Sequence, residues 1–383
     1  MLLILSALTC GCGTDSSVSS ETADTNSTIE EASDDSSADN SAADNTADSD
    51  SSSDGIATDD AADSTDDGAS SDNSDTSVSD EAVGEVGFYV DGTEIMDANG
   101  NPFVMRGINH THSWFSGQDI TALDAIAATG ANTVRIVCAD GVQWTADTTK
   151  GMQRLIGYCM ERNMICILEV HDATGYNDID AIQSATNFWI WHKEALIGYE
   201  DYVILNIANE WVGDNDADTW AEGYCTVIPQ LREAGIENLI MVDAPGWGQY
   251  GEAIAEKGAE VLASDPDGNT MFSIHMYSVA GGEQEHIESL LTDARDRGLA
   301  VCVGEFGCED DWGDVDEDYI IQYCTEQGIG YLPWCWKCSG EETDILDLTV
   351  DWAGSELTPD WGEKIINGEY GIRNTSVMCT VFE

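Results

Sequence analysis

TVRIVCAD at residues 133–140, MICILEVHD at 164–172 and VILNIANE at 203–210 share one pattern. Each is a β-rich apolar run without strict alternation that ends in polar side chains. Continuous apolar strands suit a parallel sheet buried on both faces. Five further runs read the same way: FVMRGIN (103–109), NLIMVDA (238–244), TMFSIHMY (270–277), LAVCVGEFG (299–307) and GYLPWCW (330–336). Helical patterns lie between them, as at Asp119–Thr129, Ala181–Ile197, Thr219–Ala234, Glu283–Arg297 and Val315–Gln327. Several meet a helix-stopping glycine, at Gly130, Gly235, Gly298 and Gly328.

The polar residues taken as strand ends are Arg106, Arg135, His171, Glu210, Asp243, Tyr277, Glu305 and Trp334, spaced 28 to 39 positions apart. Eight β-α units of that length predict a (β/α)8 barrel, an α/β fold of TIM-barrel type. A doubly wound open sheet would want an early glycine-rich phosphate turn, and the sequence has none. Such a barrel carries its chemistry at the C-terminal ends of its strands. Charged caps at the barrel rim are the plain alternative for these residues.

Glu210 closes the fourth strand in NIANEW and Glu305 closes the seventh in VGEFG. In an eight-strand barrel those ends face each other across the mouth. Two opposed carboxylates are what glycoside hydrolysis needs: one protonated acid for the leaving oxygen, and one nucleophile or base. Asn209 offers an amide to a sugar hydroxyl. Arg135 and Tyr277 are placed to donate to Glu305, which favours a charged carboxylate. His171 and His275 fit a hydrogen-bonded network, and Trp334 offers a flat face to a pyranose ring.

The 383 residues carry 74 acids and 13 bases, a formal charge of −61. Phosphates are repelled by such a surface, so nucleic acid is not an expected partner. Residues 1–85 hold 22 of the acids and no Lys or Arg; residues 86–383 hold the other 52 and all the bases. An acidic folded part fits a salty or acidic medium, and fits equally a soluble secreted surface. Met1–Thr9 reads MLLILSALT, like the apolar part of an export signal, though without its basic start. Cys10 and Cys12 follow, so residues 1–12 are expected to be a signal peptide, either of lipoprotein type with a lipidated cysteine or ordinarily cleaved. Residues 13–85 are rich in Ser, Asp, Thr and Ala and are expected to be a disordered tether. An extracellular protein, secreted or held at the cell surface, follows from these expectations. No apolar run of about 20 residues is present to cross a membrane as a helix.

At these residues the chain resembles glycoside hydrolase family 5, and within it the bacterial endo-β-1,4-mannanase branch. The segments that carry the resemblance are GFYVDGTEIMDANGNPFVMRGINHTHSWF, TGANTVRIV, LEVHDATG, EALIGYEDYVILNIANEW, VDAPGWGQY, FSIHMY, GEFG and YGIRNTS, spread over about 86–380. The resemblance implies a catalytic domain over 86–383 that hydrolyses internal β-1,4-mannosidic bonds of mannan, glucomannan or galactomannan with retention. It implies Glu210 as acid/base and Glu305 as nucleophile, with Arg135, His171, Asn209, His275, Tyr277 and Trp334 around the sugar. It implies no metal or organic cofactor, and a monomer is expected. Trp114, Trp211 and Trp247 sit in branch motifs, either as sugar platforms or as packing. A β-1,4-glucanase of the same family is the neighbouring reading; a non-catalytic glycan-binding protein is the distant one, and would expect one carboxylate to be lost.

The chain departs from the family at Thr111, at Cys308 with the acidic run EDDWGDVDED, and in LPWCWKCSGEETD. Cys138, Cys166 and Cys302 read as buried small apolar residues. A disulfide is expected among Cys308, Cys335 and Cys338, which lack a visible fourth ligand for zinc. The run Glu309–Asp318 lacks the spacing of a calcium-binding EF-hand loop and reads as a solvated rim.

Overall fold

The computed structural model describes residues 87–338 and 344–383. The expected signal segment, 1–12, and tether, 13–85, lie outside the described residues, and so does most of the loop beyond Cys338.

Eight parallel strands alternate with helices. In chain order they are β1 (Gly107–His110), α1 (Asp119–Ala128), β2 (Thr133–Cys138), α2 (Thr149–Met160), β3 (Ile165–Val170), α3 (Ile179–Trp191), β4 (Val203–Asn206) and α4 (Ala217–Glu233). Then follow β5 (Ile240–Asp243), α5 (Glu252–Ser264), β6 (Thr270–Met276), α6 (Gln284–Arg295), β7 (Val301–Phe306), α7 (Glu317–Gln327), β8 (Gly330–Tyr331) and α8 (Trp361–Asn367). Each strand pairs with its sequence neighbour, and a parallel bridge between Arg106 and Tyr331 joins the eighth strand to the first. This is the expected (β/α)8 barrel. The expectation named no helix over 149–160 or 252–264; both are present.

Helix ends follow local chemistry. The side chains of Thr148, Asp178, Asp216 and Asp316 accept the free N–H groups of the first turns of α2, α3, α4 and α7. Gly328 ends α7 in the left-handed region, at φ 67°, as the stop signal predicts.

Side-chain parity explains both the core and the site. Along β2, Val134, Ile136 and Cys138 point to the helix layer, while Arg135 points inward. Along β3 the outward set is Cys166, Leu168 and Val170, and the inward set is Ile165, Ile167 and Glu169. The inward apolar residues fill the lower barrel with Met241, Met271, Cys302 and Leu332, and Phe88 and Phe103 close its floor edge to face at 5.3 Å. The next inward layer is polar. The sequence pattern that glues helices to the sheet therefore also raises a polar deck above an apolar floor.

Two expectations are corrected here. Arg106 precedes β1 and lies at the opposite end of the barrel from the site. Its guanidinium donates to the carbonyls of Met105 and Ile329 at 2.9 and 2.8 Å and lies 4.4 Å from the Tyr331 ring centroid. It seals the junction of the first and last strands. Trp211 is no platform: it is fully buried, its indole N–H donates to Asp178 O at 2.9 Å, and its ring packs on Tyr224 and Gly223. A Cβ at residue 223 would lie 2.0 Å from that ring. Gly223→Ala is therefore expected to destabilise the fold by about 1–3 kcal/mol in a guanidinium melt.

Candidate active site

The polar deck is organised by Arg135. Its guanidinium is completely buried and reaches four other strands or their ends. It donates to Glu305 Oε1 at 2.7 Å, Asn109 Oδ1 at 3.1 Å, Asn206 Oδ1 at 2.9 Å and Asn209 Oδ1 at 2.6 Å, with Asp243 Oδ2 at 3.4 Å. Burial works against its charge, but Glu169, Glu305 and Asp243 outweigh burial and raise its pKa further. Asn109 in turn donates to the carbonyls of Gly304, Leu332 and Pro333, lacing β1 to β7 and to the chain after β8.

Glu305 stands near the end of β7. Arg135 donates to one of its oxygens and the Tyr277 hydroxyl to the other, at 3.0 Å. Its placement depends on a bulge between β6 and β7: Ile274 pairs with Val303, and His275 then pairs with Glu305, leaving Gly304 over. Glycine suits the bulge: a Cβ at 304 would sit 2.1 Å from Ser273 Oγ, so that hydroxyl would have to turn away. Burial raises the Tyr277 hydroxyl pKa, and Glu305 raises it further, so the phenol keeps its proton.

Glu210 follows β4 and faces Glu305. Oxygens of Glu210 and Glu305 and Nδ1 of His275 all lie within 4.8 Å of one another. Glu210 holds a left-handed backbone at φ 45°, uncommon for a residue with a side chain. Its N–H donates to Asp243 Oδ2 at 3.2 Å, and its carbonyl accepts from Gly175 at 3.1 Å. Burial raises the Glu210 pKa and the Glu305 charge adds to the rise, against the pull of His275 at 2.8 Å. Burial lowers the His275 pKa, but Glu305 and Asp243 override it and bring it to about 10. Burial raises that of Asp243, yet His275 and Arg135 hold it down at about 2.

The other expected residues gather around this pair, with differences in detail. His171 hydrogen-bonds Glu169 through Nδ1 at 2.9 Å; burial lowers its pKa, and Glu169 more than restores it. Asn209 is fully buried, its amide oxygen on Arg135 and its nitrogen donating to Thr174 at 2.9 Å. Trp334 stacks on His171 at 5.7 Å between centroids, and Trp114 meets both rings edge-on. Trp247 is half-buried and lies against Gly175.

Glu169, Asn206, Asp243 and Asn109 belong to the deck and were not expected in the site, although Asp243 was seen as a strand end. They sit within strands rather than after them, and inward parity with Arg135 is the signal that finds them. Cys335 and Cys338 form the expected disulfide just after Trp334, and Cys308 is free.

Among the described residues, two trios bring metal-ligating atoms together: Glu210–His275–Glu305 and Cys335–Cys338–Asp347. In the first, His275 Nδ1 faces a Glu210 oxygen at hydrogen-bond distance; in the second, the sulfurs are bonded to each other. Glu309–Asp318 forms a small hairpin whose Asp310 accepts from Ser278, followed by the start of α7.

A (β/α)8 barrel whose mouth holds two facing carboxylates in unlike surroundings has the arrangement that a glycoside hydrolase needs. A family model described as cellulase (glycosyl hydrolase family 5) matches residues 96–340. The chain belongs to that family. It is 50% identical over 296 residues to a mannan endo-1,4-beta-mannosidase of Salipaludibacillus agaradhaerens, covering 77% of this chain and 96% of that protein. Among solved structures it resembles the beta-mannanase of Thermomonospora fusca, with TM-score 0.74, 38% identity, and coverage of 78% of this chain and all of the other. The mannohexaose complex of that beta-mannanase gives TM-score 0.73 at 37% identity, with the same coverage.

Asp243 supplies an acid-stability test. Its pKa is depressed in the fold, so its contribution is present above about 4 and lost as pH falls through about 2. Asp243→Asn is expected to be less stable than wild type at pH 7, by about 2 kcal/mol or more, with the gap narrowing toward pH 2 in chemical denaturation.

Proposed function

We propose that this glycoside hydrolase is a retaining endo-β-1,4-mannanase, with Glu210 as acid/base and Glu305 as nucleophile. The observation that carries the mechanism is the approach of the two carboxylates within 4.8 Å. Retaining enzymes hold the pair about 5–5.5 Å apart, whereas inverting enzymes leave room for a water at about 6.5–9.5 Å. The unlike surroundings support the division of roles. Burial and the facing carboxylate favour the protonated form of Glu210. Glu305 receives a cationic donor on one oxygen and a phenol on the other.

In the first step a Glu305 oxygen bonds to the anomeric carbon as the glycosidic C–O bond breaks, and Glu210 gives its proton to the leaving oxygen. In the second, Glu210 takes a proton from water, whose oxygen attacks the anomeric carbon and frees Glu305. His275, at 2.8 Å from Glu210, holds the acid/base in place through both steps. Tyr277 and Arg135 hold the nucleophile. Trp334 and Trp114 supply apolar faces for the sugar chain. Trp247 is a further platform on the same reading.

The choice of mannan rests on the names borne by the relatives that match nearly their whole length. The acidic composition and the Ser/Asp-rich stretch at 13–85 support action outside the cell, released or tethered through Cys10 or Cys12, and the chain is read as a monomer.

Reducing ends released from mannan and from carboxymethylcellulose test the substrate. Faster release from mannan is expected; preferential cleavage of the cellulose derivative overturns the assignment. Glu305→Ala should lower kcat on the order of 10⁴-fold or more, because the covalent route is lost. Near-wild-type turnover in that variant would reject Glu305 as nucleophile.

A further inference from the structure

Two loops present the aromatic wall beside His171. Trp114 lies in the turn between β1 and α1, and Trp144 in the loop between β2 and α2. Their rings are 5.4 Å apart, and each lies within 6 Å of His171. What joins the two loops is a buried ionic array that the bond-cleaving pair does not use. His112, two residues before Trp114, places Nδ1 2.8 Å from Asp119 Oδ1 at the start of α1. It places Nε2 3.0 Å from Asp147 Oδ1, three residues after Trp144. Asp147 Oδ2 accepts the Ala139 N–H at 3.0 Å, and Ser113 donates to Val137 O at 3.0 Å.

A neutral imidazole has one N–H and can donate to only one carboxylate; serving both requires the imidazolium. We propose that the His112 imidazolium is a clasp that joins the Trp114 turn to the Trp144 loop, so that its deprotonation loosens the wall and weakens polysaccharide binding while leaving the carboxylate pair intact. His112 is thus a positioning residue. The substrate part of this inference rests on the cleft being a polysaccharide site, as proposed above.

The groups facing His112 from each packed element agree with this. Asp119 from α1 and Asp147 from the β2–α2 loop are the two acceptors. His110 from β1 donates through Nε2 to Asp119 at 3.1 Å; burial lowers its pKa, and its Nδ1 has no partner, as expected of a neutral ring. Burial keeps the nearby Cys138 thiol of β2 protonated. The array therefore holds one cation between two anions. Burial opposes the His112 charge, but Asp119 and Asp147 raise its pKa to about 9. With the folded pKa above the ordinary value, the clasp is complete below about 6.5 and is lost as pH rises through about 9.

The test compares wild type, His112→Gln and Asp147→Asn from pH 6 to 10.5. It reads KM and kcat on whichever of mannan and carboxymethylcellulose is hydrolysed, and near-UV circular dichroism of the tryptophans without substrate. In wild type, KM should stay flat to about pH 8 and rise several-fold by about pH 9.5, below the titration of His275 at about 10, with a dichroism change centred near pH 9. Asp147→Asn removes one stabilising charge, so both midpoints should fall by about one pH unit. His112→Gln should hold the raised KM at every pH, with kcat within about twofold of wild type at pH 7. A flat wild-type dichroism and KM between pH 8 and 10 would overturn the clasp. So would an Asp147→Asn midpoint equal to that of wild type, or a variant that loses kcat while KM stays unchanged. Should His112→Gln fail to fold, the wild-type and Asp147→Asn titrations decide. Should neither polysaccharide be hydrolysed, the assigned function fails, while the dichroism midpoints still judge the clasp.

Discussion

The buried Arg135 guanidinium is the constraint on which the mouth of this barrel depends. A cation removed from water must be matched by acceptors, or it costs several kcal/mol. Here the acceptors come from β1, β4, β5, β7 and the turn after β4: Asn109, Asn206, Asp243, Glu305 and Asn209. One side chain therefore fixes the relative positions of five parts of the sheet. Glu305 is buried and held by that network. Asp243, another carboxylate of the set, also accepts from the backbone of Glu210, and so carries the constraint across to the second carboxylate.

The two carboxylates are chemically alike, and their environments separate them. Glu305 lies between a guanidinium and a phenol. Glu210 is buried with one imidazole beside it and a carboxylate opposite. The bulge at Gly304 and the left-handed backbone at Glu210 are the local irregularities that let a regular barrel aim both groups at one point. Both departures cost the fold something, and both occur where the chemistry is placed.

Much of this was legible in the sequence, for physical reasons that also set the limits. Long apolar runs ending in polar residues reveal buried parallel strands, and their spacing reveals the barrel. Residues that follow a strand, such as His171 and Glu210, are found because they interrupt the apolar pattern. Glu169 and Asn206 are harder, because a polar residue inside a strand is explained only once inward parity is known. Arg106 misled because a charged side chain beside an apolar run looks the same at either end of a strand. Trp211 follows Glu210 directly, but the backbone turns there and buries the ring against α4. Which of Cys308, Cys335 and Cys338 pair is a matter of loop geometry, which spacing does not encode.

In the proposed reaction Glu305 and Glu210 act on opposite sides of one bond through a covalent intermediate. Proton NMR of the first products of mannohexaose hydrolysis tests it most directly, because the new reducing end shows its anomeric form before mutarotation. Retention through a covalent intermediate requires that the β-anomer appear first. First appearance of the α-anomer would mean direct inversion by water, and would contradict it.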